Sequence, residues 1–300
     1  MADGSFAPVI AIAPAPRSAL ARGFAHFRYV MTSNPVTFIA FVLLTLMVLV
    51  ALFGPSLVPH DPLASASGKA LKPPSLEHWF GTDQLGRDVF SRVVVATRLD
   101  LAISISAVAI SFVCGAALGA FAGFWGGWFD RLSGRLLDTI MAFPLFVLAM
   151  GIVAAAGNTI QNIVIATAVI NLPFYARVAR AEVSIRRNAA YVQAARLSGN
   201  TEGRILIMKI LPNTLPPMMV QLSLNMGWAI LNAAGLSFIG LGVRPPTAEW
   251  GIMVAEGANY IVSGEWWLAL FPGAALMLAV FTFNLLGDGL RDLVDPLRRT

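Results

Sequence analysis

Five stretches of this chain run for 22 to 38 residues without a single Asp, Glu, Lys or Arg: 36–60, 101–129, 139–176, 210–243 and 266–287. No water-soluble core needs apolar runs of that length. A bilayer does, because its hydrocarbon core takes roughly 20 apolar residues per helical pass. The run 139–176 is too long for one pass and must turn back on itself. Gly157, Asn158 and Thr159 form its one good turn. The chain therefore reads as an all-α membrane protein of about six transmembrane helices, at about 36–58, 101–124, 136–156, 160–176, 215–240 and 266–288.

Composition agrees. Asp, Glu, Lys and Arg make up 12% of the 300 residues and apolar types 57%, whereas a soluble domain carries about 25% charged residues. The single cysteine, Cys114, is expected to act as a small buried hydrophobe. His26, His60 and His78 share no metal-ligand spacing, and no metal site is expected. The first residues are apolar and rich in Pro and Ala, and Arg17, Arg22 and Arg28 come after them. That order is the reverse of a cleaved signal peptide, so residues 1–35 read as a loosely ordered cytoplasmic tail.

Basic residues set the orientation. With the N-terminus inside, fifteen Lys and Arg fall on the cytoplasmic side and six outside. Both termini are then cytoplasmic, and the loop 59–80 is external. Residues 81–100 read as a short helix at the membrane surface. Its start, GTDQLGRDVFSR at 81–92, either contacts an external partner or is held by its own salt bridges, with Asp83 and Arg87 four apart. Gly115, Gly119 and Gly123 either let a second helix approach closely or reflect the general abundance of Gly in membrane helices. Pro144, Pro173 and Pro272 each invite a kink. Asp138 is expected to pair with Arg131 or Arg135.

The most informative segment is 191–217, YVQAARLSGNTEGRILIMKILPNTLPP. Its Ala-rich start favours helix. Gly199 can take the left-handed conformation that ends a helix, and Asn200 or Thr201 can cap the next. Ile205, Leu206 and Met208 give that second helix an apolar side, and Pro212 and Pro216 mark the entry to the fifth span. The product is a helix-turn-helix elbow on a basic cytoplasmic face, of a shape that fits a cleft on a soluble partner.

This segment resembles the EAA loop of ABC-importer permeases. Ala194, Ala195, Gly199, Leu211 and Pro212 match at the family's spacing. Gln193 stands where the family has Glu, and Lys209 stands where the general pattern has Ile. GTDQLGRDVFSR, AGFWGGWFDR at 122–131, AFP at 142–144, LSFIGLGVRPPTAEWG at 236–251 and NLLGDGLRDLVDP at 284–296 are similar to the C-type permease subunit of dipeptide and oligopeptide importers. The resemblance implies a type I ABC importer permease fold in four parts. These are a tail (1–35), a first transmembrane helix with its external loop (36–96), a permease core with the EAA loop at 189–212 (97–289), and a C-terminal tail (290–300).

It also implies partners: a homologous permease, two cytoplasmic ATPases docked on the EAA loops, and an extracytoplasmic substrate-binding protein. ATP and Mg belong to the ATPases. This chain has no G-x-x-x-x-G-K-[ST] phosphate loop and is expected to have no cofactor, no catalysis of its own and no nucleic-acid partner. The implied substrates are di- or oligopeptides, with glutathione, chelated nickel or another small conjugate as alternatives.

Gln221, Asn225 and Asn232 share one face of the fifth span. Polar groups are costly against lipid, so they either line a translocation path or hydrogen-bond to other helices. A stand-alone channel or secondary transporter is a rival reading, but it predicts intramembrane acids, and the span centres carry no charge. A scaffold subunit without a pathway would leave the elbow unexplained.

Overall fold

A computed structural model describes residues 34–294. The expected tails, apart from their edges at these bounds, lie outside the described residues, as do His26 and the arginines at 17, 22, 28, 298 and 299. Ten α-helices follow in order, with a short 3-10 turn at Ser67–Lys69, and no strand occurs among the described residues. They are α1 (Pro35–Leu57), α2 (Val89–Trp125), α3 (Gly127–Ala142), α4 (Leu145–Ala156), α5 (Ile160–Arg186), α6 (Ala190–Leu197), α7 (Glu202–Ile205), α8 (Leu211–Phe238), α9 (Trp250–Ala258) and α10 (Trp267–Val294). Five helical runs are long and apolar enough to cross a membrane, or six if the bent pair α3–α4 counts as one span.

α1 begins at Asn34, whose side chain accepts from the N–H groups of Val36 and Thr37. Only Thr37, Ala40, Ala51 and Gly54 of this helix are buried. Phe41, Leu44 and Met47 pack partly against the core, and most of its other large apolar side chains face outward, which only a lipid solvent tolerates at this extent. Cys114 also faces outward, contrary to its expected burial. The α2 face that packs inward carries the glycines, and the neighbouring Cys114 is rotated about 100° away from Gly115.

The glycine stripe has a specific cause. α2 crosses α5 so closely that a Cβ on Gly115 would lie 2.7 Å from the Leu172 carbonyl. On Gly119 it would lie 2.0 Å from the Ala176 carbonyl, and on Gly123 2.5 Å from the Arg180 carbonyl. The spacing of four places all three on one face, and the absent side chains let two backbones touch.

Two expected boundaries are corrected. No separate surface helix spans 81–100. Residues 81–88 form an irregular loop, and α2 runs unbroken from Val89. Its N-terminus is fixed by Asp88, whose carboxylate accepts from Ser91 N at 2.8 Å. The charges expected to hold this segment at the surface are instead buried. The third span does not run straight over 136–156 either. α3 ends at Ala142 and α4 turns away by 91°, because Phe143, placed before Pro144, is extended (φ −86°, ψ 146°). Pro173 and Pro272 lie inside continuous helices.

The expected turn at 157–159 is present. Gly157 has φ +98°, and the Thr159 side chain accepts from Asn162 N. The N-terminus of α2, the C-terminus of α4 and the 239–266 connection all gather at one end of the bundle, the loop end. The C-termini of α2 and α5 meet at the other, where Ser184 Oγ donates to the Gly123 carbonyl. The segment 190–210 sits there, at the elbow end.

Candidate functional site

The elbow is built in layers. α6 ends where Gly199 takes φ +77°, and the closing bonds run from Ser198 N to the Ala194 carbonyl and from Asn200 N to the Ala195 carbonyl. Thr201 occupies the cap position of α7 without a side-chain hydrogen bond. Asn200 turns back instead, donating to the Ala195 carbonyl at 3.0 Å. Arg196 clamps the turn with a two-pronged pair to Glu202 at 2.8 and 3.0 Å. Guanidinium and carboxylate geometries match in this way.

A wide π turn over Leu206–Ile210 then joins α7 to α8, with Leu211 N donating to the Leu206 carbonyl. Pro212 sits in the first turn of α8, where its missing N–H disrupts regular α-pairing and the widened turn accommodates the ring. Pro212 thus stands at the start of α8, at the expected entry to the fifth span, and Pro216 lies inside that helix. Helix continues from Glu202 to Phe238.

Val192, Ile205, Leu206 and Ile210 are buried against Ala120 and Phe124 of α2 and Val183 of α5. This inner layer fixes the elbow to the bundle. The outer layer is Leu197, 91% exposed, with Ile207 and Met208 about 60% exposed. Met208 therefore does not share the face of Ile205 and Leu206, as its sequence position suggested, because the π turn rotates it outward. Gln193, Ala194, Gly199 and Pro212 are exposed, while Ala195 and Leu211 are half-buried. Gln193 donates to the Asn188 carbonyl.

Behind the elbow, a cleft of about 380 Å³ opens between α4, α5 and α8. Gln221, Asn225 and Asn232 all line it, together with Asn171, Phe174 and Trp228. Gln221 Nε2 donates to Asn225 Oδ1 at 3.1 Å. Asn232 and Asn171 each donate to a carbonyl of their own helix. Most of this polar face therefore bonds along its own helix. Asn225 Nδ2, fully buried, finds no acceptor in good geometry among the described residues. Nearby at the elbow end, Asp138 pairs with Arg177 at 2.7 Å, rather than with Arg131 or Arg135, since α3 packs against α5 there.

At the loop end the residues of GTDQLGRDVFSR form a buried charge cluster. Arg87 and Arg92 are 2% and 1% exposed. Asp83 Oδ2 lies 2.6 Å from Arg87 Nε and 3.6 Å from Arg92 Nε, and Glu256 of α9 lies 3.6 Å from Arg87. Arg92 also donates to the Pro62 and Pro246 carbonyls. Asp83 and Arg87 thus pair within the motif, while Glu256 and the Pro62 and Pro246 carbonyls tie it to other segments.

Beside them Trp250 N donates to Asp100 Oδ2, and Trp250 Nε1 donates to the Val93 carbonyl. Glu249 caps α9 through Gly251 N and Ile252 N, and burial pushes its carboxyl above the usual carboxylate range. Sequence reasoning missed Asp100, Glu249, Trp250 and Glu256 as one unit. The Glu-Trp-Gly at 249–251 was the available signal.

Comparisons with known proteins bear on this architecture. A family model for binding-protein-dependent transport system inner membrane components matches residues 115–300. A model for the N-terminal TM domain of oligopeptide transport permease C matches residues 25–74. The chain is 44% identical over 268 residues to the probable D,D-dipeptide transport system permease protein DdpC of Escherichia coli (strain K12), covering 89% of this chain and 90% of that one. It is 41% identical over 289 residues to the di/tripeptide transport system permease protein DppC of Pseudomonas aeruginosa (strain UCBPP-PA14), covering 94% and 93%. It is 41% identical over 253 residues to the glutathione transport system permease protein GsiD of Escherichia coli (strain UTI89 / UPEC), covering 84% and 83%. A solved chain of the MetNI methionine ABC transporter shares the fold, with a TM-score of 0.54 at 18% identity, covering 67% of this chain and 96% of that one.

Proposed function

Because this chain belongs to the family of binding-protein-dependent transport system inner membrane components, we propose that it is the permease subunit of an ATP-driven importer that moves di- or oligopeptides by alternating access. The observation that carries the reading is the elbow. It is anchored from inside by four buried aliphatic side chains and turns Leu197, Ile207 and Met208 outward at its tip. An apolar tip on a segment rich in arginine, with Arg196 and Arg204 within the elbow itself, fits a cleft on a soluble ATPase. Gln193, Ala194, Ala195, Gly199, Leu211 and Pro212 form the docking loop in this reading. A second permease, two ATPases and an extracytoplasmic binding protein complete the assembly, and the ATPases hold ATP and Mg. The chain's own work is transport rather than catalysis.

The cleft lined by Gln221, Asn225 and Asn232 supplies a candidate path, since amide side chains offer both donors and acceptors to a peptide backbone. Glutathione is a second reading, favoured by the 41% identity to a glutathione permease. Glutathione is itself a small peptide, and the same amide face serves it.

The docking role is tested at Gly199. A Cβ there meets no atom within 4 Å, so a substitution acts through the backbone alone. A left-handed non-glycine residue costs about 1–2 kcal/mol, and more if β-branched. Gly199→Val is expected to remain in the membrane at near-normal level while co-purification of the ATPase and peptide uptake both fall several-fold. Undiminished ATPase binding and uptake would remove the elbow from the coupling role.

Orientation is tested separately. In a Cys114→Ser background, Leu76→Cys (98% exposed) is expected to react with an impermeant maleimide added to intact cells, and Leu197→Cys only after lysis. The reverse pattern inverts the topology and places the elbow outside.

A further inference from the structure

The loop end holds a second cluster that the transport reading does not use. His60 lies just beyond α1, His78 in the external loop and Asp88 at the N-cap of α2. The fold brings one ligand atom from each within 4.8 Å of the other two. Asp88 Oδ1 lies 2.9 Å from His78 Nδ1 and 3.8 Å from His60 Nδ1. The two imidazoles face each other with ring centroids 4.6 Å apart.

The separations are informative. Zinc holds nitrogen and carboxylate oxygen at about 2.0–2.2 Å in a tetrahedron, which puts neighbouring donor atoms about 3.3 Å apart. The two distances to Asp88 straddle that value. Hydrogen bonding within the protein leaves the set incomplete. Asp88 is satisfied: Oδ2 accepts from Ser91 N and Ser91 Oγ, and Oδ1 pairs with His78. His60 Nδ1 and His78 Nε2, however, are both buried with no hydrogen-bond partner among the described residues. Two orphaned imidazole nitrogens beside a buried carboxylate are costly, and a metal ion at this point resolves both. It bonds His60 Nδ1 directly. By replacing the proton between His78 Nδ1 and Asp88, it also leaves His78 Nε2 as an N–H donor. That nitrogen lies 3.9 Å from Glu77 Oε1, within a small side-chain adjustment of the carboxylate–histidine–metal arrangement that orients ligating histidines.

The ligand backbones are held in place. His60 N donates to Ser91 Oγ, His78 N donates to Ser75 Oγ, and the His78 carbonyl accepts from Ser75 N and Gly81 N. The His60 side chain is one-third exposed, which leaves an entry route from solvent.

We propose that His60, His78 and Asp88 form a binding site for one divalent transition-metal ion of the zinc class, which staples the end of α1 and the external loop to the start of α2. Two imidazoles and one carboxylate suit zinc over calcium or magnesium, which prefer all-oxygen sets.

The test uses the full-length chain in detergent, free of any affinity tag and in a Cys114→Ser background, stripped with a chelator and titrated with zinc chloride against a chromophoric competitor. One zinc per chain is expected. His60→Phe and His78→Phe keep the ring packing and remove the nitrogens, and each is expected to weaken zinc binding at least 100-fold. Glu77→Gln should weaken it about 10-fold, the range for partners that orient a ligand. The cobalt-loaded chain should show the strong visible bands of a four-coordinate site, absent in His60→Phe. If His78→Phe fails to fold, His60→Phe decides alone, since it alters the more exposed ring. Failure of the wild-type chain to hold stoichiometric zinc at micromolar free metal overturns the proposal. So does equal zinc affinity in the wild type and the His60→Phe chain.

Discussion

Arg92→Met is expected to destabilise the chain by about 3–5 kcal/mol, the usual cost of breaking a buried ion pair from one side. The cluster around Arg92 contains two acids, Asp83 and Glu256, and two bases, Arg87 and Arg92. Removing one base leaves an uncompensated negative charge in a largely buried cluster, where the Asp83 side chain is 7% and that of Glu256 19% exposed. It also strips a donor from the Pro62 and Pro246 carbonyls. Methionine preserves most of the aliphatic volume, so the loss reports charge and hydrogen bonding rather than a cavity. At about 2–4 °C per kcal/mol for a chain of this size, the melting temperature in detergent should fall by roughly 6–20 °C. A variant that melts with the wild type would mean that the cluster is solvated and contributes little.

The second large effect is expected at Gly119. A Cβ there would lie 2.0 Å from the Ala176 carbonyl carried by α5. Backbone cannot swing aside as a side-chain tip can, so even Gly119→Ala must push the two helices apart. Overpacking costs about 1–3 kcal/mol and sometimes more, and two helices that must shift along their length place this case at the upper end. Gly134→Ala is the internal control. That glycine is helical and meets nothing within 4 Å, and alanine there should be neutral or stabilising by about 0.5–1 kcal/mol. Equal behaviour of the two variants, in melting or in membrane yield, would show that the stripe does not set the helix approach.

The legible part of this molecule is what local chemistry decides. Charge-free runs located the spanning helices, Gly157 located the turn between α4 and α5, and Gly199 located the elbow's corner within a residue. The three prolines show where local chemistry stops deciding. Pro144 ends α3 in a right-angle bend, whereas Pro173 lies inside an unbroken helix. The difference lies outside the prolines. The residue before Pro173, Leu172, is pressed against Gly115 of α2, and that packing holds it helical against its own preference. The buried clusters were illegible for a different reason. Arg87 meets Glu256, and His60 meets His78, only after the chain has folded. Spacing rules for ion pairs and metal ligands see near neighbours alone. The glutamine, asparagine and elbow residues were legible as surfaces, and the cleft that joins the amides came from the packing of α4 against α5 and α8.

The two longest helical runs, Val89–Trp125 and Glu202–Phe238, each contain 37 residues. At 1.5 Å per residue each is about 55 Å long, nearly twice the thickness of a hydrocarbon core of about 30 Å. The surplus falls at opposite ends. In α2 every charge lies within residues 89–100, a stub of about 18 Å at the loop end. In the other run the charges lie within 202–209, a stub of about 12 Å at the elbow end. The lipid slab therefore fits the charge-free remainder of each helix, and Arg92 and Asp100 stand clear of it although they belong to a spanning helix. At these lengths, a soluble protein approaching either face meets helix that continues past the apolar stretch.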